Sequence, residues 1–187
     1  MSHMKQKHRK TAQQAILDAA AEIFSHNPGA SLQEIADRAG VGRATLYRYF
    51  PTREKLMRDL ALEALRQTDE VTAPIREQDL TARAALEAVV AAVIPLGDRF
   101  RFLSSEWAVG QDPEVASIYA RQLRELAETV DRAKAEGAIA PDVPTRWVVS
   151  AIDMLIYAAW TSVHTGETTQ RDAITLTLRT LFKGLSP

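Results

Sequence analysis

The run Ser31-Leu32-Gln33-Glu34-Ile35-Ala36-Asp37-Arg38-Ala39-Gly40-Val41-Gly42-Arg43-Ala44-Thr45-Leu46-Tyr47-Arg48-Tyr49-Phe50-Pro51-Thr52 holds two short helices and the turn between them. It opens on a capping box: the Ser31 hydroxyl and the Glu34 carboxylate, three residues apart, satisfy the free amide hydrogens of a helix start. That helix ends at Gly40, where the chain must reverse and a left-handed backbone costs least without a Cβ. A second helix of under two turns carries Arg43 to Phe50 and is halted by Pro51. Two short helices joined through Ala39-Gly40-Val41-Gly42 have the layout of a helix-turn-helix. Val41 and Leu46 fall inward against Ile35 and Ala36, leaving Arg43, Ala44, Thr45, Tyr47 and Arg48 on an outer face suited to a major groove.

On either side of this run the apolar residues recur every three or four positions, and no period-2 strand pattern appears. The chain reads as all-α, cut by Gly and Pro into about nine helices. A first helix spans about Arg9 to His26, and Thr52 caps a fourth running through Leu56, Leu60 and Leu65 towards Pro74. Residues 1–55 are expected to form the helix-turn-helix domain and 56–187 a larger helical one, with the fourth helix, about 53–73, bridging them.

Over the 187 residues, 23 Lys and Arg against 24 Asp and Glu give a net charge of −1, which argues against a polyanionic partner. The average conceals an asymmetry: residues 1–55 carry nine basic and five acidic side chains, and the remainder is net acidic. With no cysteine, disulfides, thiolate metal sites and thiol nucleophiles are excluded. No phosphate-binding Gly-rich loop, His-Glu-x-x-His or G-x-S-x-G is present, and nothing places Glu106 beside His164 for acid–base work. Neither an enzyme, a metal site nor a cofactor is expected. Met1 to Lys10 is basic and polar with no apolar stretch behind it, so a cytoplasmic protein is expected.

The stretch Val41 to Leu56, following Ser31 to Ala36, closely resembles the TetR family of transcriptional regulators, with the likeness specific over roughly residues 9–60. It extends to the capped helix, the glycine turn, the Leu-Tyr-x-x-Phe helix and the basic-acidic start of the next helix. Arg53 stands where that family usually has Lys. The resemblance implies a repressor that binds a near-palindromic double-stranded DNA operator as a homodimer and is released by a small molecule bound in the C-terminal domain. It puts Arg43, Ala44 and Tyr47 at base edges and Thr45 at a phosphate or base. Tyr49 and Arg53 would grip phosphates, and Ser31 and Gln33 would offer hydroxyl, amide and helix-start contacts to the backbone. The chemistry agrees: Arg donates two hydrogen bonds to a guanine edge, and a methyl such as that of Ala44 meets a thymine methyl.

In the C-terminal region the helix from Thr145 to about Thr165 is apolar nearly all round. A membrane span is excluded by its shortness and by Ser150, Asp153, Thr161 and Ser162. Such a helix needs cover that a chain of this size does not supply, so it is expected to face a second subunit through Val148, Ile152, Leu155 and Ile156. The last helix would add Ile174, Leu178, Leu181 and Phe182, and the family resemblance implies the same pairing. Aromatics gather in this region: Phe100, Phe102, Trp107, Tyr119, Tyr157 and Trp160, with Leu123, either line a ligand cavity or pack a core. Asp153, in apolar surroundings, must be paired, protonated, wet or ligand-bound. Arg99, Arg101, Arg121 and Arg124 are the candidate partners; failing them, a cationic ligand caged by aromatics is the natural one.

Overall fold

Helix follows helix because most starts are capped by a side chain and the turns between them are cut by Gly and Pro. The structure is a computed structural model and describes residues 11–99 and 112–184. The described residues form eight α-helices: α1 Ala12–His26, α2 Leu32–Ala39, α3 Arg43–Tyr49, α4 Arg53–Arg76, α5 Ala82–Val93, α6 Pro113–Ala135, α7 Thr145–His164 and α8 Gln170–Lys183, with a 3₁₀ turn at Ile94–Arg99. Thr11, Ser31, Thr81, Asp112 and Thr169 each accept a backbone N–H from the first turn of the helix they precede. The helix expected around Phe100, Phe102 and Trp107 lies outside the described residues.

The chain divides into two compact units, Met1–Leu60 and Ala61–Pro187, with the boundary inside α4. In the first, α1, α2 and α3 pack on one another around Ile16, Ala20, Phe24, Ile35, Leu46, Phe50 and Leu56, all fully buried or nearly so. Gly40 adopts φ 67°, the left-handed turn that its lack of a Cβ allows. Arg53, expected at a phosphate, is engaged within this unit. Its guanidinium donates to the carbonyl oxygens of Ala30, at 2.8 Å, and Pro28, and lies 4.4 Å from the centroid of the Phe24 ring. The start of α4 is thereby clamped to the loop that leads into α2.

In the second unit α7 packs against α6, α8 and the 3₁₀ turn, and α5 against α6. The Glu136 carboxylate at the end of α6 accepts the Ala82 N–H at the start of α5 at 2.6 Å, and Arg132 donates to the Leu80 carbonyl at 2.8 Å. The apolar core comprises Leu86, Val93, Val130, Val148, Val149, Ile152 and Ile156. Of the residues expected at a subunit interface, Val148, Ile152 and Ile156 are buried within the chain itself. Ile174 and Leu178 also pack, half-buried, on an internal cluster. An all-apolar helix does not reveal from periodicity which of its faces its own chain covers. Leu155, Leu181 and Phe182 remain half-exposed, beside Trp147 at 70% and Met154 at 59% exposed. One expectation is corrected at Pro74, which does not end α4. In the last turn its missing N–H leaves only one carbonyl without an intrahelical partner, and the helix runs on to Arg76.

Two predictions follow from close contacts. Arg53→Lys cannot serve two carbonyls with a planar fork, and a thermal melt should show a loss of about 1–2 kcal/mol; an unchanged midpoint would deny the clamp. A Cβ on the buried Gly97 would lie 2.3 Å from the Trp160 ring, whose Nε1 donates to the Val93 carbonyl at 3.3 Å. Gly97→Ala should therefore destabilise by about 1–3 kcal/mol and alter the near-UV signal of that indole.

Candidate functional site: a reading helix and an acidic cavity

The first unit presents α3 outward. Leu46 and Phe50 are fully buried, so the helix is held from one side, while Arg43, Ala44, Tyr47 and Arg48 are exposed and Thr45 and Tyr49 half-buried. The Arg43 guanidinium lies 5.3 Å from the centroid of Tyr47, one turn on, and Arg48 lies 4.9 Å from that of Tyr49. Two cations resting on aromatic rings thus belong to one short helix. Arg48, omitted from the expected contacts, is as exposed as the others. At the start of α2, Ser31 accepts from the Glu34 N–H at 3.2 Å, and its own N–H and hydroxyl donate to the Glu34 carboxylate at 2.7 and 2.8 Å. Those two donors hold Glu34 below the usual carboxylate range. Gln33 is exposed, with its amide donating to Asp37 at 2.8 Å. The arrangement offers hydrogen-bond donors, a methyl and aromatic hydroxyls on a surface a groove can receive.

The second unit contains a cavity of about 140 Å³ between α4, α5, α6 and α7. Of the residues expected at a ligand, Tyr119, Leu123, Asp153 and Trp160 line it. Tyr157 does not: it follows the inward-facing Ile156 by one residue, which turns it about 100° round the helix to the exposed side. Phe100, Phe102 and Trp107 lie outside the described residues. Ile156, expected at a subunit interface, lines the cavity instead.

Asp153 is half-buried and accepts a hydrogen bond from the Tyr119 hydroxyl at 2.7 Å. Burial and the adjoining carboxylate together push the Tyr119 phenol well above its ordinary range, so it remains a donor. Among the described residues Asp153 meets no guanidinium or ammonium group. Arg121, one of its expected partners, turns to α4 and its own helix, pairing with Asp69 and with Glu125 at 2.8 Å. Arg76 reaches the other Glu125 oxygen at 2.8 Å. Burial would push Asp69 up, but hydrogen bonds from Arg121 and Gln122 outweigh it and hold that carboxyl below its usual range. Glu125, Arg76 and Gln122 also line the cavity and were not anticipated. The available signal, charges spaced by four along α6, is the ordinary pattern of a solvated helix face.

On the outer side of α7 and α8 a groove of about 590 Å³ runs between Trp147, Ala151, Met154, Leu155, Thr180 and Leu181. Among the described residues no helix is long and apolar enough to cross a membrane, and no cluster of His, Asp and Glu could hold a metal ion.

Residues 16–60 match the family described as bacterial regulatory proteins, tetR family. The HTH-type transcriptional repressor LfrR of Mycolicibacterium smegmatis is 32% identical over 165 residues, covering 84% of this chain and 82% of that protein. An uncharacterized HTH-type transcriptional regulator of Mycobacterium tuberculosis is 56% identical over 43 residues, 22% of this chain and 21% of its own length. The crystal structure of the TetR-like regulator LfrR from Mycobacterium smegmatis in complex with proflavine superposes with a TM-score of 0.81 at 27% identity, covering 94% of this chain and 97% of that one. An exposed reading helix in a helix-turn-helix and an all-helical second unit agree with a relative matched over most of both lengths: the chain belongs to the TetR family and is a DNA-binding transcriptional regulator.

Proposed function

We propose that the protein is a homodimeric repressor, cytoplasmic and without catalytic activity, whose hold on a near-palindromic operator is released by a planar aromatic monocation bound in the second unit. The observation that carries the ligand reading is Asp153. A carboxylate at an apolar cavity, held by one phenol and by no described cation, supplies one uncompensated negative charge. The nearby Asp69, Arg121, Glu125 and Arg76 balance among themselves, two against two. Trp160 and Tyr119 supply aromatic surface on the same cavity. Proflavine, the molecule bound by the M. smegmatis relative, is a flat tricyclic cation of this chemistry.

On the DNA side, Arg43, Ala44 and Tyr47 would meet base edges and Thr45 a base or phosphate, with Tyr49, Ser31 and Gln33 on the backbone. Arg53 would act chiefly through its clamp, fixing the loop that sets α2. Support for a homodimer comes from the exposed apolar strip of Trp147, Met154 and Leu176, which a second copy would cover. Two-fold symmetry would set the reading helices about 34 Å apart, one turn of DNA.

Selection of bound fragments from random DNA should return a near-palindrome with half-sites about one helical turn apart; recovery of no preferred sequence, at low salt, would overturn the DNA reading. For the ligand, proflavine should lower operator occupancy in a mobility-shift titration. Asp153→Asn should bind the dye about tenfold or more weakly, and equal affinity in variant and wild type would remove Asp153 from the site.

A further inference from the structure

The cavity holds about 140 Å³, whereas pockets enclosing drug-sized ligands run from roughly 300 Å³ upward. The cavity is partly open to solvent, and its described walls can close around a fused ring system only if one of them gives way. The walls are not held alike. α5, α6 and α7 meet through the continuous buried cluster of Leu86, Val93, Val130, Val148 and Ile152, to which α4 adds Val71 at the edge. α4 also buries Leu65 and Ile75, but the side-chain bonds that tie it to α6 are polar. Arg121 bridges Asp69 and Glu125, Arg76 donates to Glu125, and the Gln122 amide is shared between Asp69 and the Leu65 carbonyl, both at 2.9 Å. The ionic side chains keep between 26% and 40% of their surface exposed, so water can take over each of these bonds as it breaks. Separating α5, α6 and α7 would instead expose apolar core, at a cost proportional to its area. The α4–α6 side is therefore the one that opens most cheaply.

We propose that this clasp of Asp69, Arg76, Arg121, Gln122 and Glu125 is the latch of the ligand cavity, and that its strength sets the ligand concentration at which the regulator responds. The inference rests on the ligand reading above and adds to it the place where the protein yields. The clasp is neutral as a whole, so it neither draws in nor repels a cation; Asp153 does the attracting and the clasp sets the opening cost. α4 is one unbroken helix from Arg53 to Arg76, and its first turns belong to the unit that carries α2 and α3. Release of its second half from α6 thus acts on the same helix that the Arg53 clamp anchors.

The apparent affinity of a ligand for a cavity that is open only part of the time is its intrinsic affinity scaled by the open fraction. Weakening the latch should therefore tighten ligand binding, which mere loss of stability cannot do. The test uses the full chain, with proflavine as the probe, read by its fluorescence. Arg121→Gln should bind the dye about fivefold or more tightly than wild type and release operator at a correspondingly lower dye concentration. Asp69→Asn, which retains a partner for Gln122, should move the same way by less. Amide hydrogen exchange across residues 61–76 should quicken in both variants without dye. Dye affinity that is unchanged or weaker in both variants overturns the latch, and so does a gain in Arg121→Gln alone, which its added net negative charge would explain, provided wild type still loses operator on adding dye. A wild type that holds operator but ignores the dye overturns the ligand reading itself.

Discussion

A helix of seven residues has almost no stability of its own, because the cost of nucleating it is spread over too few hydrogen bonds. α3 exists only because Leu46 and Phe50 are fully buried on one side of it and a left-handed Gly40 sets its approach. The rest of the first unit follows from that need. α1 supplies Ile16 and Phe24 as the floor, the Ser31–Glu34 box fixes α2 at the angle the turn requires, and Arg53 ties the next helix to the loop before it. Because the holding is done from behind, the front is left to Arg43, Ala44 and Tyr47. A short helix that carried its own stability on an apolar front would have nothing to offer a polar groove.

Much of this was legible in the residues. Caps and stops are local chemistry, so Ser31 and Gly40 announced the ends of α2, and the structure places the helix between them. The inward set of α3 was legible for the same reason, since Leu46 and Phe50 lie one turn apart on a helix with a polar remainder. Legibility failed where a side chain's partner is distant in sequence. Nothing local distinguishes an Arg53 that meets phosphate from one that meets the Ala30 carbonyl 23 residues earlier. Nor could spacing tell that Arg121 would turn to Asp69, 52 residues away, and leave Asp153 to Tyr119. α7 failed differently: being apolar on every side, it gave no sign that Val148, Ile152 and Ile156 face inward while Trp147 and Met154 face out.

The two units use charge in opposite ways. On the reading head, cations lie on aromatic rings in contact with water, where salt screens them and association with a polyanion draws much of its free energy from released counterions. At the cavity the proposed ligand contact is Asp153, half-buried beside apolar walls, where screening is weaker than in open water. Operator grip should therefore vary steeply with ionic strength and ligand recognition only slightly. A regulator built this way reports on chemistry rather than on osmotic conditions.

The Tyr119–Asp153 pair also bears on what such a sensor ignores. A cell is crowded with flat rings, most of them neutral or anionic. Any of these could satisfy the apolar walls, yet each would strip water from Asp153 without returning a charge, and an anion would be repelled outright. Discrimination then comes from a penalty on the wrong molecule more than from a reward for the right one. On the proposed ligand reading, one carboxylate whose described partner is a phenol would work as a noise filter, keeping the ordinary aromatic metabolites of the cell from being read as a signal.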